Sequence, residues 1–271
     1  MRFCHHITVA FLFLTLAGPG FADGSGLIRL TNRDDLFGWE AVGRVEIGKG
    51  GYCTGALIAP DLVLTAAHCV YGRDKTLVTA ADLTFRAGLR DGKAIAERAI
   101  SRFVAHPQYD PTLKFSAETV RYDAALLQLE TPIPSAIASP FALHSGADTG
   151  QRVAVVSYGR GRDDALSWQR DCGVLWRSQS LMAFDCNITF GSSGAPVFVR
   201  DSGRARILSL ISGGQIGGKE HLAYGMELPA LVERLKRDLR AMPKATAKPG
   251  EIRRVKVGQG GNASGAKFAK P

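Results

Sequence analysis

Between residues 39 and 224 the chain is a succession of short apolar stretches cut by Gly, Pro and Asp. Segments 41–47, 55–58, 62–65, 124–129, 152–158, 195–199 and 207–212 are each of strand length and rich in Val, Ile, Leu or aromatic residues. Few of them repeat apolar residues every 3.6 positions. Many short strands with frequent turn signals specify a barrel or a sandwich, so the chain reads as all-β. A break near 131–150 holds Pro132, Pro134 and Pro140 and reads as a linker between two halves, 39–135 and 148–228. Pro229 opens one helical pattern over 229–242, with Ala230, Leu231, Leu235, Leu239 and Met242 on one side.

The ends differ from this body. Residues 1–22 read as an export signal. Arg2, His5 and His6 precede an apolar run of 11 residues, 7–17, and small residues set a cleavage point after Ala22. That run is shorter than the roughly 20 residues a bilayer span needs, so no membrane span is expected. The product is expected to be secreted or periplasmic. Residues 243–271 form a tail rich in Gly, Ala and Lys that reads as disordered. It carries +6 of the formal +9, and Arg2 carries another +1, which leaves the body at about +2. So small a charge argues against nucleic acid as a partner of the body. Cleavage removes Cys4 and leaves Cys53, Cys69, Cys172 and Cys186. An even number in an exported chain suggests two disulfides, and of the three possible pairings sequence neighbourhood favours Cys53–Cys69 and Cys172–Cys186. Nothing in the cysteine and histidine spacing suggests a metal site.

Three motifs carry chemistry. Leu64-Thr65-Ala66-Ala67-His68-Cys69 ends a strand in a turn that presents a histidine, a side chain able to act as general base near neutral pH. In Tyr122-Asp123-Ala124-Ala125-Leu126-Leu127, an aspartate precedes an apolar strand, where a buried carboxylate can orient an imidazole. Gly191-Ser192-Ser193-Gly194-Ala195-Pro196 offers a serine on a glycine-rich turn, with Ser193 as the nucleophile. The N–H groups of Gly191 and Ser193 are the candidate oxyanion hole. No cofactor is needed. The three residues run in the order His, Asp, Ser, 55 and 70 residues apart. Two other hydrolase families use different orders.

In that order and in those motifs the chain resembles the chymotrypsin-like serine peptidases. The segments Val63-Leu64-Thr65-Ala66-Ala67-His68-Cys69, His106-Pro107-Gln108-Tyr109 and Ile211-Ser212-Gly213-Gly214 add to the likeness, which spans residues 39–242. Phe184-Asp185-Cys186-Asn187 before the serine motif makes it most similar to the bacterial V8-like, glutamyl endopeptidase-like branch. The resemblance implies two six-stranded antiparallel β-barrels followed by the C-terminal helix. His68 and Asp123 would come from the first barrel and Ser193 from the second. It further implies that Asn187 lies at the base of the specificity pocket. Ser212, Gly213 and Gly214 would bind an extended substrate, the two glycines leaving one wall open.

The chain departs from the family pattern at two points. Ser192 stands where the activated animal enzymes carry an aspartate that pairs with a new N-terminus, and no Ile-Val-Gly-Gly start follows a basic residue. Residues 23–38 are therefore an N-terminal segment that is either retained or trimmed as a short pro-segment, with Arg33 and Arg44 as possible cleavage points. An Asn at 187 does not support a preference for Arg or Lys. Thr189 and His221 are candidates for a glutamate-binding site, and an uncharged pocket is the alternative. The sequons at Asn187 and Asn262 are read as unmodified. The expected activity is peptide-bond hydrolysis by a monomer acting on proteins or peptides. The competing readings are a non-catalytic binding protein on the same fold and an esterase with the same triad.

Overall fold

The computed structural model describes residues 26–200, 203–215 and 222–243. The segment read as an export signal, the basic tail beyond Pro243, His221 and Asn262 lie outside the described residues. Among those that are described, no helix is long and apolar enough to cross a membrane.

The chain is mostly β, built as a closed barrel beside a half-barrel sheet. A short strand, β1 (Leu27–Arg29), comes first. Six strands follow: β2 (Val42–Ile47), β3 (Gly51–Ala59), β4 (Leu62–Thr65), β5 (Leu83–Ala87), β6 (Ala96–Ala105) and β7 (Ala125–Leu129). They close in the order β2-β3-β4-β7-β6-β5, every pair antiparallel. Alternate residues point inward, so Val45, Leu57, Val63, Phe85 and Leu127 fill the interior and are fully buried. One short helix, α1 (Ala117–Arg121), sits before β7 and is capped by Ser116, whose Oγ accepts from Thr119 N.

The second unit contains β8 (Arg152–Ser157), β9 (Ser167–Ser178), β10 (Leu181–Phe184), β11 (Pro196–Val199), β12 (Arg206–Leu210), β13 (Gly213–Gln215) and β14 (Leu222–Met226). Their order is β12-β11-β8-β9-β10-β14-β13, with β1 added alongside β9. The sheet is the half-barrel counterpart of the second six-stranded barrel that the resemblance implied. It has eight strands, and isolated bonds knit β12 to β14, such as Ser209 Oγ to Met226 O at 2.8 Å. The disulfide Cys172–Cys186 joins β9 to the segment after β10.

Three segments differ from the sequence reading. Residues 27–29 of the N-terminal segment pair with β9, Ile28 opposite Trp168, so this stretch is part of the second sheet. Arg44 lies inside β2, bonded on one side to β3 and on the other to β5, and a cut there would break the barrel. The proline-rich break is also no slack linker. Ile133, Ala138 and Phe141 are buried, and the rings of Phe141, Trp39, Trp168 and Phe198 cluster where the two units meet.

The last helix, α2 (Pro229–Ala241), leaves the second sheet and packs on β6 and β7 of the first barrel. Its buried side chains are Val232, Leu235 and Leu239, whereas Ala230 and Met242 are exposed and Leu231 is half-buried. The seam is thus rotated from the expected one toward Val232, because the helix is gripped from the side on which Leu228 enters the core.

Candidate active site

Strand β4 runs straight into a single 3-10 turn, Ala67–Val70, which carries His68. Cys69 on that turn is bonded to Cys53 of β3, so the turn is fixed covalently to its neighbouring strand. Asp123 sits where α1 gives way to β7, its N–H closing on Val120 O. Its carboxylate is buried and accepts three hydrogen bonds. Oδ1 takes the backbone N–H of His68 at 2.9 Å, and Oδ2 takes His68 Nδ1 at 2.7 Å and the Ser212 hydroxyl at 2.6 Å. With Nδ1–H committed to the carboxylate, Nε2 is the nitrogen left as a base. Burial alone would lower the imidazole's pKa. The Asp123 charge and hydrogen bond more than offset this, and the value lies above the ordinary one for histidine.

Ser193 comes from the other unit, on the turn before β11. It lines the same cleft as His68, with Cys53, Tyr52, Phe190 and Gly191. Thr54 N on β3 donates to Ser193 O at 2.9 Å, and Thr54 Oγ1 donates to Gly191 O at 2.9 Å, so the serine turn is stitched to the first barrel. Oγ of Ser193 is not hydrogen-bonded to Nε2 in this structure, a separation that unliganded sites commonly show and that closes when substrate arrives.

The turn leaves two amides open. Ser192 N donates to Thr189 O, Gly194 N to Ile211 O and Ala195 N to Ser192 O. The N–H groups of Gly191 and Ser193 have no such backbone acceptor among the described residues. Phe190 O accepts from Arg160 N at 2.7 Å, and because the peptide is trans the Gly191 N–H points the opposite way. Gly191 reaches this arrangement with φ at +93°, and a Cβ there would lie 2.3 Å from the Tyr52 ring. Two unpartnered amides beside a serine and a histidine–carboxylate pair can stabilise an oxyanion as it forms.

The family model for trypsin matches residues 33–220, more than half of the chain. The chain belongs to the trypsin family. Serine protease 56 of Homo sapiens is 36% identical over 106 residues, which is 39% of this chain and 16% of that protein. The inactive serine protease PAMR1 of Bos taurus is 30% identical over 168 residues, 55% of this chain and 22% of the relative. The chain therefore spans under a quarter of these two curated relatives. Among solved structures, a Glu endopeptidase in complex with MPD superimposes with a TM-score of 0.65 at 20% identity, covering 80% of this chain and 97% of that one. A likeness at that identity establishes the shared fold.

On the substrate side, this trypsin-family chain departs from the sequence reading in detail. Among the described residues, strand β13, with Gly213 and Gly214, pairs only with β14, so its other edge is open to an added strand. The wall is not bare, because a Cβ on Gly213 would lie 2.8 Å from the Phe115 ring. The side chain packed against Gly214 is Ile188, whose Cδ1 would be 2.8 Å from a Cβ there. Asn187 is half-buried, and its N–H donates to Gln169 Oε1 at 2.7 Å. Ser212 was read as a backbone contact for substrate; its N–H donates to Tyr224 O and its hydroxyl to Asp123, and its carbonyl takes no backbone N–H among the described residues. Only the segment Ile211-Ser212-Gly213-Gly214 singled it out in the sequence, and nothing local linked it to a carboxylate 89 residues away. Cys53, His68 and Cys69 lie close enough to suggest a metal cluster, yet both sulfurs are bonded to each other and have no thiolate to offer.

Proposed function

We propose that the protein is an exported serine endopeptidase that cleaves peptide bonds through an acyl-enzyme. The observation that carries this reading is the arrangement of one carboxylate, one imidazole, one serine and two unpartnered amides around a single cleft. Ser193 Oγ attacks the scissile carbonyl while His68 Nε2 takes its proton. The carbonyl oxygen, now negative, accepts from the Gly191 and Ser193 N–H groups. His68 then gives the proton to the leaving amine, and water repeats the sequence on the ester to free Ser193. Asp123 holds the imidazole in the required tautomer and stabilises its cation. The substrate backbone adds to the free edge of β13, and Ile188 favours an uncharged side chain in the adjoining pocket. Two disulfides are consistent with an oxidising compartment outside the cytosol.

Incubation of the secreted protein with a mixed peptide library tests this reading. Internal cleavage is expected, with apolar or medium-sized residues before the cut. The working form of His68 is the neutral one, and its pKa is raised. Activity should therefore fall on acidification through a midpoint above about 6.5, the free-histidine value. A library left uncut while simple esters are hydrolysed would favour the esterase reading. One curated relative is named as inactive, which keeps the binding-protein reading in view. A folded protein that cleaves neither peptides nor esters would favour it.

A further inference from the structure

Ser192 stands between the two open amides, fully buried, and its hydroxyl is densely engaged. Oγ accepts from Thr189 N at 3.2 Å and from Arg162 Nη2 at 3.1 Å, and it donates to Tyr158 O at 3.3 Å. The same guanidinium reaches the end of β8, with Nη1 on Ser157 O at 2.9 Å and Nη2 on Ser157 Oγ at 3.2 Å. One side chain thus bridges β8 to the serine turn from behind.

The charge of this bridge is unusual. Among the described residues, Arg162 has no carboxylate within ion-pair distance, although its neighbours Arg44 and Asp163 approach each other to 3.6 Å. Desolvating a cation without a counter-ion is costly and is tolerated only where its donors are well used. Burial draws its pKa down, yet a guanidinium remains charged at neutral pH. The backbone makes room for it. A Cβ on Gly159 would sit 2.7 Å from the guanidinium carbon and 2.6 Å from Thr189 Cγ2, so any larger residue would displace both the arginine and the threonine. Arg162 returns to this glycine through its own N–H, bonded to Gly159 O at 2.8 Å.

We infer that Arg162 is a positioning residue for the oxyanion hole, an in-built cationic brace that holds the Gly191–Ser193 turn through the neutral hydroxyl of Ser192. The inference rests on the peptidase reading and deepens it. Ser192 offers no carboxylate for a new N-terminus to pair with, and the brace comes from the loop between β8 and β9. The turn is therefore set without a proteolytic switch. The positive charge, one hydroxyl removed from the turn, also favours the negative charge that develops on the substrate oxygen.

The test compares wild type, Arg162→Ala, Arg162→Lys and Gly159→Ala as full secreted chains. Arg162→Ala is expected to unfold cooperatively and to keep KM within about 2-fold. Its kcat should fall by roughly 10- to 100-fold, approaching the loss of one oxyanion donor. Affinity for a peptide aldehyde, whose hemiacetal oxygen occupies the hole, should fall in parallel. Guanidinium ion at non-denaturing concentrations should restore part of kcat to Arg162→Ala and none to wild type. Arg162→Lys should lie between the two. If Arg162→Ala fails to fold, Gly159→Ala decides the matter, because it shifts the guanidinium while keeping the charge and should reproduce the kcat loss. Unchanged kcat in either folded variant overturns the inference. So does a loss shared equally by KM and melting temperature that guanidinium does not rescue. A wild type that neither labels with fluorophosphonate nor cuts peptides overturns the peptidase reading and the brace together. A labelled wild type with an unaffected Arg162→Ala overturns the brace alone.

Discussion

Ser193→Ala and His68→Ala should each lower kcat for peptide hydrolysis by about 10⁶-fold, and the double substitution should be no worse than either single one. The reason is that, in the proposed mechanism, the two side chains act in one step. Without Oγ there is no acyl-enzyme, and without Nε2 the hydroxyl keeps its proton. Both changes should leave the fold alone. Ser193 is half-buried and holds the turn through its main chain, where its carbonyl accepts from Thr54 N. His68 is anchored by its own backbone N–H to Asp123 and by the neighbouring disulfide. Steady-state kinetics beside thermal melts separates the two effects. Equal melting temperatures with a lost rate are expected.

Asp123→Asn should cost about 10⁴-fold in kcat while nearly preserving the volume of the side chain. The bonds around Asp123 show why. Oδ1 receives a backbone N–H, which can only donate, so the amide oxygen of the variant must stay on that side. Its NH₂ then faces His68 Nδ1 and the Ser212 hydroxyl, where Oδ2 had been. The hydroxyl can rotate to accept. The imidazole must give up its Nδ1 proton and carry it on Nε2, and a protonated Nε2 cannot take the serine proton. Nitrogen-15 shifts of the ring should show the tautomer reversed. An Asn variant within 10-fold of wild type would mean that Asp123 does not set the tautomer.

Much of this was legible in the sequence because it is local. Leu62-Val63-Leu64-Thr65 reads as a strand from its own composition, and it is one. The cysteine pairs, 16 and 14 residues apart, follow from nearness along the chain. Features that depend on distant partners were not legible. Leu27-Ile28-Arg29 is too short and mixed to signal a strand, and it becomes one because β9 offers an edge 140 residues later. The stretch with Pro132, Pro134 and Pro140 has the composition of a linker, yet Phe141 is drawn into an aromatic cluster supplied by Trp39 and Phe198. Helix α2 has two apolar seams of nearly equal quality, and only the barrel it lands on selects Val232 over Ala230. Ser212 and Arg162 were hidden for the same reason. One meets Asp123 across 89 residues, and the other reaches inward from a run of charged residues that reads as a surface loop.

The candidate site also separates what is fixed by chain geometry from what is set by side chains. The turn and the histidine anchor are held by main-chain bonds, by a disulfide and by the buried polar side chains of Thr54, Ser192, Arg162 and Asp123. Gly213 and Gly214 of β13 are bordered by Phe115 and Ile188, side chains that lie outside that frame. On the proposed reading, chemistry and selectivity are carried by different parts of the molecule.

The most direct measurement is reaction of the purified protein with a fluorophosphonate, followed by mass analysis of its peptides. A single adduct on Ser193 is expected, formed fastest above the His68 midpoint and absent from Ser193→Ala. A folded wild type that takes up no label, or label retained by Ser193→Ala, would contradict the account.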